Sequence, residues 1–392
     1  ARRRAGAGGL VMRAAALRTA ALGILAVAAA LMTGCGSSRS EASKPAALVD
    51  FNQTLEVRTV WRLGVGAARA APLEPAVLEN AVYAAAANGT LVRVAPATGE
   101  VVWRVDAETR ISAGVGSDGF VVAVGTPRGE VLTFDADGKP GWRAQLSSDV
   151  LAPPLVGRGL VVVRSTDQRI TAFEAASGKR LWSYSRTMPP LTLRSTSEMA
   201  FAGDNIIVGL PGGRIVALAL ANGAPRWEAV VAEPRGATEV ERLADVIGPI
   251  AVGGRDACAA AFQGRLVCVD NGNGSLRWAR EFAAGAGVAL DERQAYGVDA
   301  KGAVVAHARE GGASVWRNAQ LENRRLSTPL ALRRAVLVGD FAGYVHFLQP
   351  DSGLFAARVA LGSAITATPR AWGNGAIVLT QDGTLAFLAV ER

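Results

Sequence analysis

The sequence predicts an all-β fold: an eight-bladed β-propeller whose blades are four-stranded antiparallel sheets. Three observations predict it. A Gly-x-x-x-Trp motif recurs about every 40 residues, a hairpin signal accompanies the repeat, and the two chain ends carry complementary parts of one unit. Half of the residues are apolar and 45 are glycine, which fits many short strands joined by glycine turns.

The motif is complete at six places: Gly99/Trp103, Gly138/Trp142, Gly178/Trp182, Gly223/Trp227, Gly274/Trp278 and Gly312/Trp316. Two further copies are degenerate. Val57 stands where glycine is expected before Trp61, and Ala357 replaces the tryptophan that should follow Gly353. With these two copies the chain has eight tryptophan-strand units in tandem, one for each predicted blade.

The hairpin signal is an apolar run, a turn glycine and a second apolar run. In the first full unit it comprises residues 82–85, the pair Asn88-Gly89 and residues 91–94, which is turn chemistry between two strands. The layout returns with a turn glycine in six other units, and Thr166-Asp167-Gln168 replaces the glycine turn in the third unit. The number of hairpins is therefore also eight.

The two ends of the chain carry complementary strands of one predicted blade. The last hairpin, residues 377–390, has no tryptophan strand after it, and the first tryptophan strand, residues 57–65, has no hairpin before it. An open ring of sheets would leave an unpaired edge. We therefore predict that the N-terminal strand completes the C-terminal blade as its outermost strand.

Two connections between successive units are longer than the others. The distance from a tryptophan to the next hairpin is 18 residues after Trp103 and Trp142, but 24 residues after Trp182 and 30 after Trp227. Because strands alternate in direction, all connections between blades lie on the same rim as the hairpin turns. The two insertions should therefore emerge side by side as one patch.

Residues 1–34 are predicted to be a secretory signal peptide that is removed. Arg13 and Arg18 precede an apolar run over residues 19–32, and small residues follow at the cleavage site. The sequence Met32-Thr33-Gly34-Cys35 resembles a bacterial lipobox, in which the cysteine is lipidated. A secreted protein without lipid is the alternative.

The residues after the lipobox set the expected location and domain limits. Gly36 is not the aspartate that usually holds lipoproteins in the inner membrane, which favours the periplasmic face of the outer membrane. We expect the lipidated cysteine and a flexible, polar tether over residues 35–50, and the propeller over residues 51–392.

Net charge does not point to nucleic acid. The formal charge of +8 includes five arginines and no acid in the predicted signal peptide, so +8 minus 5 leaves +3 for the rest of the chain.

Cys258 and Cys268 are placed opposite each other on the hairpin that turns at Gln263-Gly264. A disulfide, in an oxidising compartment, and two reduced core cysteines both remain open.

The repeat resembles the tryptophan-docking motif of dehydrogenases that carry pyrroloquinoline quinone (PQQ), which are eight-bladed propellers. The resemblance implies that large indole rings pack between neighbouring blades. We expect this structural role for Trp61, Trp103, Trp142, Trp182, Trp227, Trp278 and Trp316.

The chain departs from these dehydrogenases at the site that carries their chemistry. It has no vicinal Cys-Cys pair, and it lacks the long insertions that build the quinone pocket. His307 and His346, the only histidines, occupy equivalent strand positions, where a structural role is expected. We therefore predict no catalytic residue, no metal, no cofactor and no enzymatic activity.

The first insertion contains Pro189-Pro190-Leu191-Thr192-Leu193-Arg194. In an extended stretch, Leu191 and Leu193 fall on one face beside Arg194, an arrangement that suits a protein partner. The alternative is that both leucines fold inward and cap the blade.

The second insertion carries a helix-start signal. Thr238 and Glu241 form a predicted capping box, which indicates a short helix with Val240 and Leu243 on one side. A surface helix without a partner is the alternative.

Together, the lipobox, the eight repeats, the Leu-x-Leu-Arg loop and an Ala-Thr-Glu-x-Glu-Arg-Leu-x-Asp loop resemble the BamB family. These are propeller lipoproteins of the outer-membrane β-barrel assembly (BAM) complex. The resemblance implies a non-enzymatic scaffold that docks on a POTRA domain of BamA and assists barrel precursors that are still unfolded. It assigns partner binding to Leu191, Leu193, Arg194 and Asp245. We also expect Glu239 and Arg242, in the second of these loops, to bind the partner. A second acid is frequent in the family where Ile247 stands here.

Two other functions remain as alternatives. One is a periplasmic PQQ-dependent oxidoreductase, which would bind a chromophore. The other is a periplasmic propeller that binds a ligand in its central channel, although the innermost strands, near residues 111–115 and 365–368, contain mostly small and apolar side chains.

Overall fold

The computed structural model describes residues 44–68, 72–187, 189–193 and 197–391. The predicted signal peptide and Cys35 lie outside these ranges. The described residues form 32 β-strands arranged in eight four-stranded antiparallel sheets, which confirms the predicted eight-bladed propeller. In these ranges, no helix is long and apolar enough to cross a lipid bilayer.

Each blade has strands A to D, numbered here in chain order, with A at the central channel and D at the outside. Blades 1 to 4 comprise β2 (Ala76–Val77), β3 (Val82–Ala85), β4 (Thr90–Val94), β5 (Val101–Asp106); β6 (Gly116–Ser117), β7 (Val121–Gly125), β8 (Glu130–Asp135), β9 (Pro140–Gln145); β10 (Leu155–Gly157), β11 (Leu160–Arg164), β12 (Ile170–Glu174), β13 (Arg180–Tyr184); β14 (Ala200–Ala202), β15 (Asn205–Leu210), β16 (Arg214–Ala219) and β17 (Pro225–Val230). Blades 5 to 8 comprise β18 (Val246–Gly253), β19 (Asp256–Ala261), β20 (Gly264–Asp270), β21 (Leu276–Phe282); β22 (Ala284–Leu290), β23 (Gln294–Asp299), β24 (Val304–Ala308), β25 (Ser314–Asn318); β26 (Leu330–Ala331), β27 (Val336–Gly339), β28 (Tyr344–Leu348), β29 (Phe355–Ala360); β30 (Arg370–Trp372), β31 (Gly375–Leu379), β32 (Thr384–Val390) and β1 (Val57–Gly64).

The ring closes as predicted, through strand exchange between the chain ends. Strand β1 is the outermost strand of blade 8 and pairs antiparallel with β32, from Val57 opposite Val390 to Gly64 opposite Thr384. The N-terminal strand thus occupies the position that a D strand fills in every other blade.

The apolar core is divided among the blade junctions. The buried apolar side chains of the described residues form eight clusters, and each cluster is shared by two neighbouring blades. Strands B and C are buried on both faces, because alternate residues point to opposite junctions. Val82 packs toward blade 8, for example, whereas the adjacent Tyr83 packs toward blade 2. This explains why the B and C strands are continuous apolar runs.

The structure explains the spacing of the Gly-x-x-x-Trp motif. At seven of the eight junctions, the tryptophan of one blade donates its indole N–H to a carbonyl in the C–D turn of the next blade. Trp61 Nε1 donates to Pro96 O at 2.8 Å, and Trp278 Nε1 donates to Arg309 O at 2.7 Å. The turn glycine of that next blade lies on the indole face: Gly99 has φ +76°, and a Cβ there would come within 2.5 Å of Trp61 Cγ. One motif therefore takes part in two junctions.

The degenerate copies coincide at the one junction that cannot use this contact. Blade 8 takes its C strand from the end of the chain and its D strand from the beginning, so it has no C–D turn on which a tryptophan of blade 7 could dock. Ala357 replaces that tryptophan, and Leu55 and Val57 pack against the same cluster instead. The missing glycine and the missing tryptophan thus belong to one junction.

The start of the propeller differs from the predicted boundary at residue 51. The sequence predicts a flexible tether over residues 35–50, but the chain is already bound to the propeller at Ala46 and Val49. Ala46 N donates to Glu322 O at 2.9 Å, and Arg358 Nη1 donates to Val49 O at 3.1 Å. Polar, alanine-rich composition does not reveal these backbone contacts, which are made with distant residues.

We expect Trp316→Ala to destabilise the propeller. Trp316 is buried, donates to Pro350 O at 2.6 Å and lies under Gly353, so its removal should leave a cavity and an unpaired carbonyl. The free energy of unfolding should fall by about 3–5 kcal/mol, measured by urea denaturation. The exposed neighbour Val315→Ala serves as the control and should change it by less than about 1 kcal/mol. Equal effects of the two substitutions would contradict the docking role.

Candidate functional site

The two insertions meet on one rim of the propeller, and Asp245 joins them. The first insertion connects β13 to β14, and the second connects β17 to β18. The Asp245 carboxylate, at the end of the second insertion, accepts the N–H of Leu193 in the first at 2.5 Å. Its other oxygen accepts the N–H of Gly212, in the B–C turn of blade 4, at 3.0 Å. Asp245 is only 3% exposed, so its carboxylate faces the protein rather than a partner.

A buried arginine lies beneath the first insertion. Arg164, at the end of β11, donates from Nε to Gln168 Oε1 at 2.7 Å and from Nη1 to Ser197 O at 3.4 Å. Burial lowers the pKa of Arg164 to about 10, and the negative charge of Asp245 opposes that shift. Gln168 stands where other hairpins have glycine and has φ 64°. The unusual turn residue therefore provides a partner for the buried guanidinium.

The outward face of the joined insertions is apolar at two places. Leu191 is 42% exposed and Val240 is 62% exposed. Leu193 is half-buried and lines a small pocket together with Leu151 and Gln168, so the two leucines are not equally accessible. Arg194 lies outside the described residues.

The second insertion does not form the predicted helix. The capping-box bonds are present: Glu241 N donates to Thr238 Oγ1 at 3.3 Å, and Glu241 Oε2 accepts the N–H of Thr238 at 3.0 Å. The chain makes only a single turn, because β18 begins at Val246 and leaves no room for a second. Val240 and Leu243 also differ in environment, since Val240 is exposed and Leu243 is buried.

The charged pair of this turn is on the surface. Arg242 Nη1 lies 3.0 Å from Glu239 Oε1, and both side chains are about half exposed. Arg242 Nε also donates to Gly236 O at 3.1 Å. Exposed pairs of this kind contribute little to stability, so both side chains can be available to a partner.

A pocket of about 170 Å³ opens beside the first insertion. Pro189, Arg186 and Arg214 line it together with the turn at Gly212. Arg186 and Arg214 share the carboxylate of Glu228, at 2.7 and 2.9 Å. The candidate docking surface thus combines apolar side chains, a small pocket and a charged rim.

Sequence reasoning missed a charged cluster in the central channel. Arg370, the first residue of β30 in blade 8, lies 2.6 Å from Glu198, which precedes β14 in blade 4. Blades 4 and 8 are opposite each other in a ring of eight, so this ion pair spans the channel. Glu74 lies 3.8 Å from Arg370 and accepts the N–H of Thr368 at 2.7 Å. A cavity of about 370 Å³ lies along the same channel wall.

The histidines have structural environments. His346 is fully buried, with Nε2 at 2.9 Å from Asp340 Oδ2, and Arg358 Nε donates to its Nδ1 at 3.2 Å. His307 is almost buried, and its ring lies 6.0 Å from that of Trp278. Within the described part of the chain, no group of three or more His, Cys, Asp or Glu side chains could hold a metal ion.

The cysteines of blade 5 are bonded to each other in the structure. Cys258 in β19 is directly opposite Cys268 in β20, with Cα atoms 4.1 Å apart, and the two form a disulfide. Both are fully buried in the cluster between blades 5 and 6. The bond therefore crosslinks strands B and C of blade 5, the blade that follows the second insertion.

We expect Asp245→Asn to loosen the first insertion while the propeller stays folded. An amide can accept only one of the two N–H groups and presents its own NH₂ to the other, so about 1.5–3 kcal/mol of local stability should be lost. Hydrogen exchange at Leu193 and Gly212 should rise about tenfold or more. Glu239→Gln, on the exposed turn, is the control and should leave both rates unchanged. Unaltered exchange in the Asp245 variant would refute the joining role.

Glu74 should make stability depend on pH. Burial and the nearby Glu198 carboxylate raise the pKa of Glu74 from 4.5 to about 8, although Arg370 and Thr368 oppose the shift. The native state then keeps a proton that the unfolded chain releases, so the free energy of unfolding should fall as pH rises from about 4.5 to about 8.

The test compares Glu74→Gln with the wild type in urea denaturation at pH 5 and pH 8. The variant should lose less stability between the two values, whereas the exposed control Glu100→Gln should behave like the wild type. A variant with the same pH dependence as the wild type would show that Glu74 does not carry the effect.

Comparison with known proteins identifies relatives along most of the chain. A family model described as outer membrane protein assembly factor BamB matches residues 87–318. The protein of that name from Bordetella pertussis is 44% identical over 361 residues, which are 91% of this chain and 94% of the relative. The protein of the same name from Burkholderia pseudomallei is 41% identical over 360 residues, with 91% and 94% covered.

Solved structures give the same result for the fold. The crystal structure of BamB from Moraxella catarrhalis has a TM-score of 0.78 at 27% identity and covers 85% of this chain and 100% of that one. A quinohemoprotein alcohol dehydrogenase from Comamonas testosteroni has a TM-score of 0.67 at 14% identity, with 85% and 76% covered, and shows the fold alone. The family model spans more than half of the chain, and this chain therefore belongs to the BamB family of outer membrane protein assembly factors.

Proposed function

We propose that this protein is a non-enzymatic scaffold lipoprotein of the BAM complex, which docks on a POTRA domain of BamA and assists the folding and insertion of barrel proteins. The observation that carries this proposal is the joining of two insertions by a buried aspartate on a chain of this family. In this function, the propeller is anchored by lipid on Cys35 at the periplasmic face of the outer membrane.

The docking surface has the composition of a protein interface. Leu191 and Val240 provide exposed apolar anchors, and Glu239 and Arg242 lie at the rim of the same patch. Arg194 follows the leucines directly in sequence and supplies a charge for a carboxylate of the partner. Such a patch gains affinity when it is held in its binding conformation before the partner arrives.

Asp245 contributes to docking indirectly in this proposal. Its carboxylate is buried and bonded to Leu193 N and Gly212 N, so it positions the insertion that carries the leucines. Loss of this carboxylate should therefore weaken docking through the loop, without removing a contact with the partner.

The outer edges of the blades are candidate sites for unfolded barrel precursors. Each D strand has one edge without a strand partner in its sheet, and exposed apolar side chains lie on several of them, at Val102, Leu181, Leu276 and Val315. An extended client strand can add to such an edge. Crosslinking from these positions that traps BamA but never a nascent barrel protein would remove this part of the proposal.

We expect Leu191→Asp and Arg194→Glu each to reduce recovery of BamA at least tenfold in a pull-down from detergent-solubilised envelope. A charge in an apolar anchor, or a reversed charge at the rim, removes complementarity with the partner. Leu193→Asp is a third variant, read together with its thermal unfolding because Leu193 is half-buried.

Leu354→Asp is the matched control. Leu354 is also exposed, but it lies in the C–D turn of blade 7 on the opposite rim, so its recovery of BamA should equal that of the wild type. Unchanged recovery with folded Leu191 and Arg194 variants would overturn the proposed surface. A purified wild-type protein that binds a quinone chromophore would favour the oxidoreductase instead.

A further inference from the structure

The N-terminal arm, residues 45–56, is bound along the outside of the propeller. Ala46 N donates to Glu322 O at 2.9 Å, in the connection between blades 6 and 7. Near the other end of the arm, Thr54 N donates to Ala356 O at 2.9 Å, at the start of strand D of blade 7. The chain therefore reaches the propeller on the rim that carries the two insertions and then crosses to the opposite rim.

Buried ionic groups fix the arm at this place. Arg324 Nη1 donates to Ala46 O at 3.0 Å, and its Nε donates to the Asp340 carboxylate at 2.7 Å. The same carboxylate bonds to His346, which accepts a hydrogen bond from Arg358, and Arg358 donates to Val49 O. Burial lowers the pKa of His346, so its neutral ring carries the proton on Nε2 toward Asp340. Two arginines thus connect one buried carboxylate to two carbonyls of the arm.

Two exposed cations and a partly exposed aromatic ring lie in the loops next to the point where the arm begins. Lys301 and Arg325 are exposed, and among the described residues neither side chain has an acidic partner. Phe341, in the B–C turn of blade 7, is 40% exposed, and its N–H donates to Arg324 O at 3.1 Å. The Lys301 carbonyl accepts the N–H of Asn323 at 2.7 Å. The Arg324 guanidinium, which bonds to Ala46 O, also lies 5.3 Å from the centroid of the Phe341 ring. Lys301, Arg325 and Phe341 therefore belong to loops that are bonded to the connection on which Ala46 docks; we call the three residues the basic aromatic patch.

Three acids lie near the patch, and all three pair with arginines outside it. Asp299 and Glu322 both pair with Arg317, at 2.9 and 3.3 Å. Asp340 is buried and pairs with Arg324 at 2.7 Å. Together with Lys301 and Arg325, the group has four cations and three acids, and 4 minus 3 leaves a net charge of +1, which suits an anionic surface.

We propose that the basic aromatic patch contacts the phosphate head groups of the phospholipid bilayer in which the lipid on Cys35 is anchored. The inference rests on the proposed function, because that function supplies the lipid. Lys301 and Arg325 bind phosphates, and Phe341 enters the boundary between head groups and acyl chains.

The length of chain before the arm supports this partner. Cys35 stands 11 residues before Ala46, so even a fully extended chain would reach no more than about 40 Å. A contact of two cations and one ring is too weak to hold a free protein on a membrane. A short link raises the effective concentration of the two surfaces, so a weak contact suffices.

The patch lies on the same rim as the docking surface. The insertions leave the ring between blades 3 and 4 and between blades 4 and 5, whereas the patch lies between blades 6 and 7. The protein would therefore hold its docked partner beside the membrane, and the opposite rim would face away from it.

The first experiment is photocrosslinking to lipid. p-Benzoylphenylalanine is placed at Phe341 or, as the matched control, at Phe120 on the opposite rim, in full-length protein expressed in the bacterial envelope. Phospholipid adducts are counted by mass spectrometry after irradiation. Although Phe120 is 80% exposed and Phe341 only 40%, we expect at least a fivefold higher adduct yield at position 341. Equal or lower yield at 341, or adducts there with protein only, would overturn the proposal.

Charge reversal tests the role of the two cations. Lys301→Glu with Arg325→Glu should reduce the lipid adduct at position 341 at least threefold. The control is Lys139→Glu with Arg333→Glu, which makes the same charge change at exposed residues of the opposite rim and should have no effect. Equal yields for the two double variants, with circular dichroism unchanged, would show that the cations do not bind the bilayer.

Failure of lipidation can be distinguished from failure of the patch. Mass spectrometry of the mature N-terminal peptide shows whether Cys35 is acylated. If it is not, the Cys35 thiol of the mature chain is added to a maleimide-bearing phospholipid in vesicles of phosphatidylethanolamine and phosphatidylglycerol. The comparison of positions 341 and 120 is then repeated. A higher yield at 341 supports the patch even without natural lipidation, and equal yields reject it.

Discussion

The structure depends on one contact between neighbouring blades, in which an indole ring lies under the turn glycine of the next blade and donates its N–H to a carbonyl of that turn. The contact buries a large apolar ring and satisfies its only polar group. It also requires glycine, because the backbone approaches the ring too closely for a Cβ atom. Since seven of the eight junctions use the same contact, the apolar core is spread over the junctions, and no central core is needed. The ring can therefore close around a channel.

This arrangement determines where the chain can vary. The B and C strands are buried on both faces and tolerate no insertion, whereas the connections between blades lie on one rim and can be lengthened. Two neighbouring connections are lengthened here, and Asp245 holds them together from inside the protein. The same rim receives the N-terminal arm at Ala46. One rim thus carries the features that we connect with a partner and a membrane.

The fold could be predicted from the repeat, because the glycine of each motif contacts the preceding blade and its tryptophan contacts the next one. The two degenerate copies of the motif were also informative, because Val57, in place of glycine, and Ala357, in place of tryptophan, lie at the same junction. The adjacency of the insertions could also be predicted, from the direction of the strands.

The inward orientation of the Asp245 side chain could not be predicted, because a surface loop sequence gives no sign that a carboxylate turns inward. The capping box of Thr238 and Glu241 predicted its hydrogen bonds correctly but the helix wrongly, because the next strand begins too soon. The channel cluster joins residues far apart in sequence that follow no periodic pattern, so only the structure could reveal it.

The most direct test of a shared docking surface is the hydrogen-exchange footprint that the POTRA domains of BamA leave on the purified protein. The two insertions form one surface in this account. Protection should therefore appear together in residues 189–193 and 237–243, and turns of the opposite rim, such as residues 118–120 and 332–335, should exchange as in the free protein. Protection of only one insertion, or protection confined to the opposite rim, would contradict the account.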